Sequence, residues 1–400
     1  MNEINTQAFE LPASRYARFF QEMLEPAGIR LNGSNAWDIR VHDARLLSRV
    51  VRHGTLGLGE AYMEGWWDCP QLDQMICRAM LAGLEDRVRH NFRYKVFSLL
   101  FGLVNRQTFS RAFEVGRRHY DLGNDLFEAM LDTSMNYSCG YWRNSETLED
   151  AQKAKMDLIC RKLELEKGMR VLDVGCGFGG LAHWMASQYD VSVAAVTVSE
   201  QQASLARERC ANLPVTVDLV DYRQVTGTFD RIVSVGMFEH VGPKNYRTFF
   251  SKIASLLKPE GLFLLHTIGA GDHTCTADQW TEKYIFPNGV IPSMHAIVKA
   301  SEDVLVIEDW HNFGADYDPT LMAWHENLKQ AWPQLRQRYD ERFRRMFEYY
   351  LLISAGSFRA RANHVWQVMF SKHGIAGGYS AARRMISVSH RDRGLKAWCN

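Results

Sequence analysis

The chain has 400 residues, 46% apolar and 23% charged, with a formal net charge of +1. That length predicts two or three domains with an ample core, and the composition is that of an ordinary soluble globular protein. It argues against a membrane-spanning chain, since the longest apolar stretch (residues 96–104) is far too short for a bilayer, but local patches keep nucleic-acid and membrane partners open.

The opening MNEINTQAFELP is polar and acidic, so no secretory signal is expected. Eight cysteines are scattered without C-x-x-C or metal-ligand spacing, which predicts a reduced, cytoplasmic protein with no disulfide and no bound metal. Tyr16, Phe19, Phe20, Met23 and Leu24 follow the spacing of one apolar helix face. Asn32-Gly33-Ser34 then reads as a turn between short strands near 29–31 and 37–41. The paired Trp66 and Trp67 after Gly65 read as core or as a lipid-facing wedge, with core the safer default.

Residues 87–118 stand apart. Arg87, Arg89, Arg93, Lys95, Arg106, Arg111, Arg117 and Arg118 are opposed only by Glu114, and Phe92, Val96, Leu99, Leu100 and Leu103 keep helical spacing. Two readings stay open: a basic amphipathic membrane-surface element, or a packed helix with a solvated basic face leading into a linker. The next stretch, RRHYDLGNDLFEAMLDTSMNYSCGYW, mixes polar and aromatic residues too irregularly for plain core and places Cys139 among hydroxyls and rings. A helix resumes over 151–164, with Ala154, Leu158, Ile159 and Leu163 on one side.

From Gly168 the rhythm becomes regular. Strands are predicted at 171–174, 191–198, 215–220, 231–235 and 261–268, with helices at 180–188, 200–210 and 243–257 between them. Such alternation predicts an α/β fold: a parallel, Rossmann-like sheet with helices on both faces. Gly175, Gly177 and Gly180 after the first strand satisfy G-x-G-x-x-G, and a Gly-rich turn there lets the backbone approach a ligand. Asp173 decides the kind of ligand. A carboxylate two residues before the first glycine repels phosphate but suits an ammonium or a sulfonium, although it could instead merely cap the next helix. Strand–Asp–x–Gly–x–Gly resembles the first motif of class I S-adenosylmethionine-dependent methyltransferases.

In such sheets ligands collect at the carboxyl ends of the strands. Thr197 and Ser199 end the second strand, Asp221 the third and Glu239 the fourth, while His266 falls near the end of the fifth. Cys139, Glu239 and His266 can therefore meet near a cofactor if the preceding segment folds over the strand ends, which makes them site candidates. His266 alone is equally compatible with a buried core histidine. Farther on, an aromatic-rich insertion starts at Trp280, a strand and a turn are predicted over 307–317, a helix over 320–350 and a late strand over 366–370.

Together YDLGNDLF, YSCGYW, VLDVGCGFGG, SVGMFEHVG, LLHTIG, KYIFPNG, DWHNFGADYD and FRAR resemble the bacterial cyclopropane-fatty-acyl-phospholipid synthases, from about residue 15 to about residue 376. The resemblance implies methylene transfer from S-adenosylmethionine to a cis double bond of a phospholipid acyl chain. It also implies a small helical N-terminal domain (1–115) for lipid and dimer contacts and a catalytic domain (116–376); the tail (377–400) is outside the match and, being basic, is expected to be mobile. The expected partners are a phospholipid bilayer with anionic headgroups and a second copy of the chain, not nucleic acid; the expected location is the inner face of the cell membrane.

Tyr137, Ser138, Asp173, Gly175, Gly177, Thr197, Ser199, Gln202, Asp221 and Tyr222 fall at cofactor positions. Cys139, Glu239, His266, Tyr317 and the backbone of Ile268 match a pocket resembling the family's bicarbonate site. Glu239 would repel an anion directly, so it is expected to act through His266 or a shared proton. Phe178 replaces a frequent tryptophan, and Ser354 stands where relatives often carry a cysteine, so no thiol there is essential here. The rival readings are a same-fold methyltransferase for a soluble molecule and a catalytically inactive lipid-binding protein.

Overall fold

The computed structural model describes residues 15–84, 123–271 and 278–380. The opening residues, the basic stretch 87–118 and the tail from 381 onward lie outside the described residues. The first half of the chain carries α1 (Arg15–Leu24), β1 (Arg40–Val41), α2 (Arg45–Met63), β2 (Trp67–Asp68), α3 (Leu72–Leu81), α4 (Asn124–Met130), α5 (Leu148–Lys162), β3 (Arg170–Val174), α6 (Gly180–Tyr189) and β4 (Ser192–Thr197). There follow α7 (Glu200–Arg209), β5 (Val215–Leu219), β6 (Phe229–Val235), α8 (Tyr246–Leu256), β7 (Leu257–Ala270), α9 (Gln279–Tyr284), α10 (Met294–Ser301), β8 (Val306–Asn312), α11 (Tyr317–Leu335), α12 (Glu341–Arg359) and β9 (Asn363–Ser371).

Contacts divide the chain into two compact units, interleaved in sequence. One is Met1–Thr133 with Ile268–Ser293 and Phe313–Val365; the other is Ser134–Thr267 with Met294–Asn312 and Trp366–Asn400. In the first unit α12 packs along α11, α3 and α2. Trp67, Trp280 and Trp324 are fully buried there, which decides for the core reading of Trp67. Trp66 is only half-buried, with the Arg45 and Arg49 guanidinium groups over its ring at 4.5 and 4.7 Å. Arg359 ties α12 to the rest by donating to Asp318 (2.8 Å) and Asp73 (2.5 Å).

Three local expectations need correcting in this unit. On α1, Phe20 and Leu24 are buried but Phe19 is 55% exposed. Of the short strands expected on either side of Asn32-Gly33-Ser34, the second is present in part as β1, which pairs with β2 rather than with residues 29–31; those belong to a side-chain-braced loop with one bridge, Leu31 to Ile39. Buried Asp38 accepts from the backbone N–H groups of Arg30 and Asn35, both at 2.8 Å, and so replaces ladder bonds. The helix over 320–350 is two helices, because the Asp340 side chain caps a new start by accepting from Phe343 N at 2.7 Å.

The second unit bears out the predicted sheet. Its strand order is β5-β4-β3-β6-β7-β9-β8, with β3 to β7 parallel and β8 antiparallel to β9. Side chains alternate across it: Val171 and Leu264 join α5, α6 and α7 on one face, while Leu172, Phe263 and Leu265 join α8 and α10 on the other. The chain runs outward from β3 to β5 and then crosses back to β6. The switch point, where such sheets open a crevice for ligands, therefore lies between the ends of β3 and β6. Buried Ser234 on β6 donates to Val174 O at 3.0 Å and clamps the two strands there.

Candidate active site

The β3 turn is drawn back toward β4: Gly175 N and Cys176 N both donate to Val196 O, at 2.9 and 3.0 Å. Gly175 needs φ +85°, and a Cβ there would lie 2.7 Å from Met237 Cβ, in the loop after β6. Gly177 also takes a left-handed φ, +54°, but a Cβ on it would meet nothing within 4 Å. That open backbone is where a ligand can approach closely.

Around the turn, the candidate cofactor residues occupy the carboxyl ends of adjacent strands, and several already bond one another. Thr197 Oγ1 donates to Gln202 Oε1 at 2.8 Å and accepts from Ser199 N at 3.2 Å. Ser199 is the N-cap of α7, accepting from Gln202 N at 3.3 Å. Both Asp221 oxygens accept from the Arg223 guanidinium at 2.7 Å, and Asp221 caps the short turn that follows β5. Half-buried Tyr222 packs edge-on against Phe249 at 5.3 Å, and burial pushes its hydroxyl up to about 12.

Asp173 is different. It is 1% exposed, and its Oδ2 has no hydrogen-bond partner among the described residues. Burial pushes its carboxyl up to about 7 against the downward pull of Lys155. The Lys155 ammonium, equally buried, donates to Ser138 Oγ at 3.0 Å, while Gln152 Nε2 donates to Ser138 O at 2.9 Å. Sequence reasoning missed both α5 residues. Their signal was present, since Gln152, Lys155, Ile159 and Lys162 repeat at helical spacing and share the buried stripe. A carboxyl buried in this way costs stability when it ionises, unless a cation comes to face it.

Its pH sign is fixed. The folded chain keeps the Asp173 proton where the unfolded chain has lost it, so this stabilisation is full below about pH 4 and disappears as pH rises through about 7. Thermal unfolding of ligand-free Asp173→Asn should therefore show a gain over wild type that grows across about pH 4 to 7 and levels off above, up to a few kcal/mol. A pH-independent difference would contradict the assignment.

The second group lies beyond the switch point. Glu239 sits in the 3-10 turn Phe238–His240 directly after β6, anchored by Phe238, whose ring stacks on Tyr246 at 4.3 Å. His266 is on β7 opposite Val235, and its carbonyl accepts from Gly236 N at 2.9 Å. It is fully buried; desolvation first, then the cationic or dipolar influence of Lys155, Lys162 and His311, holds it neutral, well below the ordinary histidine range. Its Nδ1 lies 3.3 Å from Gln367 Nε2, a second residue the sequence did not reveal. Cys139 is buried and its thiol points at Gly140 O, 3.2 Å away. Tyr137, half-buried, belongs to the same irregular segment.

Ile268 and Tyr317 belong by contacts to the first unit. Ile268 continues β7 two residues beyond His266, and Tyr317 opens α11 with its ring stacked on Phe358 at 4.5 Å and edge-on to Trp324 at 6.0 Å.

Comparison with known proteins adds an independent finding. The sequence profile described as mycolic acid cyclopropane synthetase matches residues 107–368. The chain is 54% identical over 373 residues to the cyclopropane-fatty-acyl-phospholipid synthase of Escherichia coli K12, covering 93% of this chain and 97% of that one. It is 34% identical to the tuberculostearic acid methyltransferase UfaA1 of Mycobacterium tuberculosis, over 82% of each chain. Among solved structures, mycolic acid cyclopropane synthase CmaA1 complexed with SAH and CTAB superposes with a TM-score of 0.61 at 33% identity, covering 65% of this chain and 98% of that one.

Proposed function

The chain belongs to the mycolic acid cyclopropane synthetase family and is an S-adenosylmethionine-dependent methyltransferase, and on that footing we propose that it adds a methylene group to the cis double bond of unsaturated acyl chains in membrane phospholipids, with bicarbonate as general base. The observation that supports this most is the full-length similarity to a synthase of that name, coupled to a buried neutral histidine on the strand next to the switch point.

Bound S-adenosylmethionine supplies an electrophilic methyl group on a sulfonium, and bicarbonate, when bound, supplies an oxygen base. The cradle suits the first. Gly177 leaves backbone open, and the orphaned Asp173 oxygen, ionised by a cationic ligand, offers it a carboxylate. An alkene is a poor nucleophile, so the protein's task is to hold the π-bond in line with the methyl group. The cationic chain that follows is stabilised by aromatic faces, for which Tyr137, Trp142 and Tyr317 are the candidates. The second group suits an anion: neutral His266 offers a ring N–H, Cys139 a thiol, and Glu239 orients through His266 or a shared proton. Ile268 contributes backbone and Tyr317 its hydroxyl.

In this reading residues 1–115 provide lipid and dimer contacts and 116–376 the catalysis. The basic residues of 87–118 draw the protein to anionic headgroups at the inner face of the membrane, at about 1 kcal/mol per engaged cation. Among the described residues no helix is long and apolar enough to cross a membrane.

Lipids extracted from cells producing the protein should show monounsaturated phospholipid chains heavier by one methylene, with the double bond consumed. Unchanged lipids, alongside a protein that still binds S-adenosylmethionine, would favour an inactive lipid binder.

A further inference from the structure

Gln367 is the least explained polar residue near the site. It lies on β9, the strand beside β7 in the sheet, and is completely buried. A primary amide buried this deeply loses hydration at both ends, which is costly unless its hydrogen bonds are replaced. Only one replacement is seen. Its Nε2 lies 3.3 Å from His266 Nδ1, and its Oε1 has no hydrogen-bond partner among the described residues.

We propose that Gln367 is the positioning residue that fixes His266 as the Nε2–H tautomer, by donating its amide N–H to Nδ1. This rests on the reading of His266 as part of the base pocket. The amide orientation follows from the alternatives. Turned over, Oε1 would accept from an Nδ1–H, and both amide N–H groups would be left in the core without an acceptor. The observed orientation strands one N–H and one carbonyl oxygen, and an orphaned N–H is the rarer defect in buried structure.

The choice of tautomer matters because His266 is neutral. Burial first, and after it Lys155 and Lys162 on α5 and His311 on β8, disfavour its imidazolium, and His311 is the direct cross-strand neighbour of Gln367. A neutral ring has one N–H and one lone pair. With the lone pair facing Gln367, the N–H is the group left to donate at Nε2, which suits an anionic oxygen base. The reverse tautomer would put a lone pair there and repel it. Such outer partners of a functional histidine set its tautomer and ring orientation.

The test is ring-nitrogen NMR of protein labelled with 15N-histidine, with the His266 signals assigned by their loss in His266→Gln. Wild type should show Nδ1 bare and Nε2 protonated. In Gln367→Glu, read at a pH high enough to ionise the introduced carboxyl, the carboxylate cannot donate, so the proton should move to Nδ1. In Gln367→Met, close in shape but without a donor, a mixture of tautomers should appear. Turnover on unsaturated phospholipid vesicles should fall about 10- to 100-fold in both variants, with the Kd for S-adenosylmethionine unchanged. An Nδ1–H ring in wild type, or one tautomer common to wild type and Gln367→Met, would overturn the proposal even if Gln367→Glu fails to fold. The NMR result does not depend on lipid turnover, so an enzyme inactive on phospholipid with the expected tautomer would count against the substrate assignment and leave this positioning role standing.

Discussion

Glu239→Gln and His266→Ala are each expected to lower methylene transfer about 10²- to 10⁴-fold while leaving S-adenosylmethionine affinity near the wild-type value. Both residues lie past the switch point, Glu239 in the turn after β6 and His266 on β7, whereas the Gly175–Gly177 turn and Asp173 belong to β3 and its exit. In the proposed mechanism, removing either one strips a group that would hold the base for proton loss, not one that would bind the methyl donor. Glu239→Gln keeps size and shape, so its loss of activity reads out the carboxylate's charge and its acceptor oxygen, not a change in packing. Initial rates on vesicles of cis-monounsaturated phospholipid, set beside titration calorimetry with S-adenosylmethionine, separate the two effects. Bicarbonate-depleted buffer should slow the wild type as well. A wild-type rate indifferent to bicarbonate would remove the proposed base.

The second large effect concerns the methyl donor. Asp173→Ala should weaken S-adenosylmethionine binding about 10- to 100-fold, the 1.5–3 kcal/mol typical of a hydrogen bond to a charged group. Lys155 should tune the same interaction. Its field is what lowers the Asp173 carboxyl against burial, so Lys155→Met should move the pH at which binding strengthens from about 7 to a higher value. At neutral pH that leaves Asp173 protonated and binding weaker by about tenfold for each unit of displacement. In an Asp173→Asn background the Lys155 substitution should no longer move the binding pH profile. A Lys155→Met protein whose profile matches wild type would show that the ammonium serves Ser138 alone.

The sheet was legible because buried parallel strands read as short apolar runs with turn residues between them. Val171, Leu172 and Val174 before a glycine turn announce β3, and the polar residues at strand ends follow from the topology. Asp38 shows where such reading stops. Its carboxylate braces a loop that Asn32-Gly33-Ser34 advertises as a turn between short strands, and nothing in the spacing reveals that bond. Asp340 likewise starts a new helix inside a stretch whose apolar spacing carries on across the break. At the site, Asp173, Glu239 and His266 stood out as polar residues at strand ends. Lys155 and Gln367 did not, because their meaning lies in partners far along the chain: Lys155 meets Ser138 across 17 residues, and Gln367 meets His266 across 101. Polar residues such as Gln152, Lys155 and Lys162 on the buried stripe of a helix are the trace such partners leave in sequence.

In the proposed reaction the ring closes when the transferred carbon, already bonded to the acyl chain, loses a proton. Purified protein given S-adenosylmethionine with a fully deuterated methyl group, and vesicles of a cis-monounsaturated phospholipid, tests it in a single mass-spectrometric reading. A cyclopropane must retain two of the three deuterons in the acyl chain, the third leaving to the base. Retention of all three would mean that the methyl group stays a methyl group, and the account of Glu239, His266 and the bicarbonate base would be wrong.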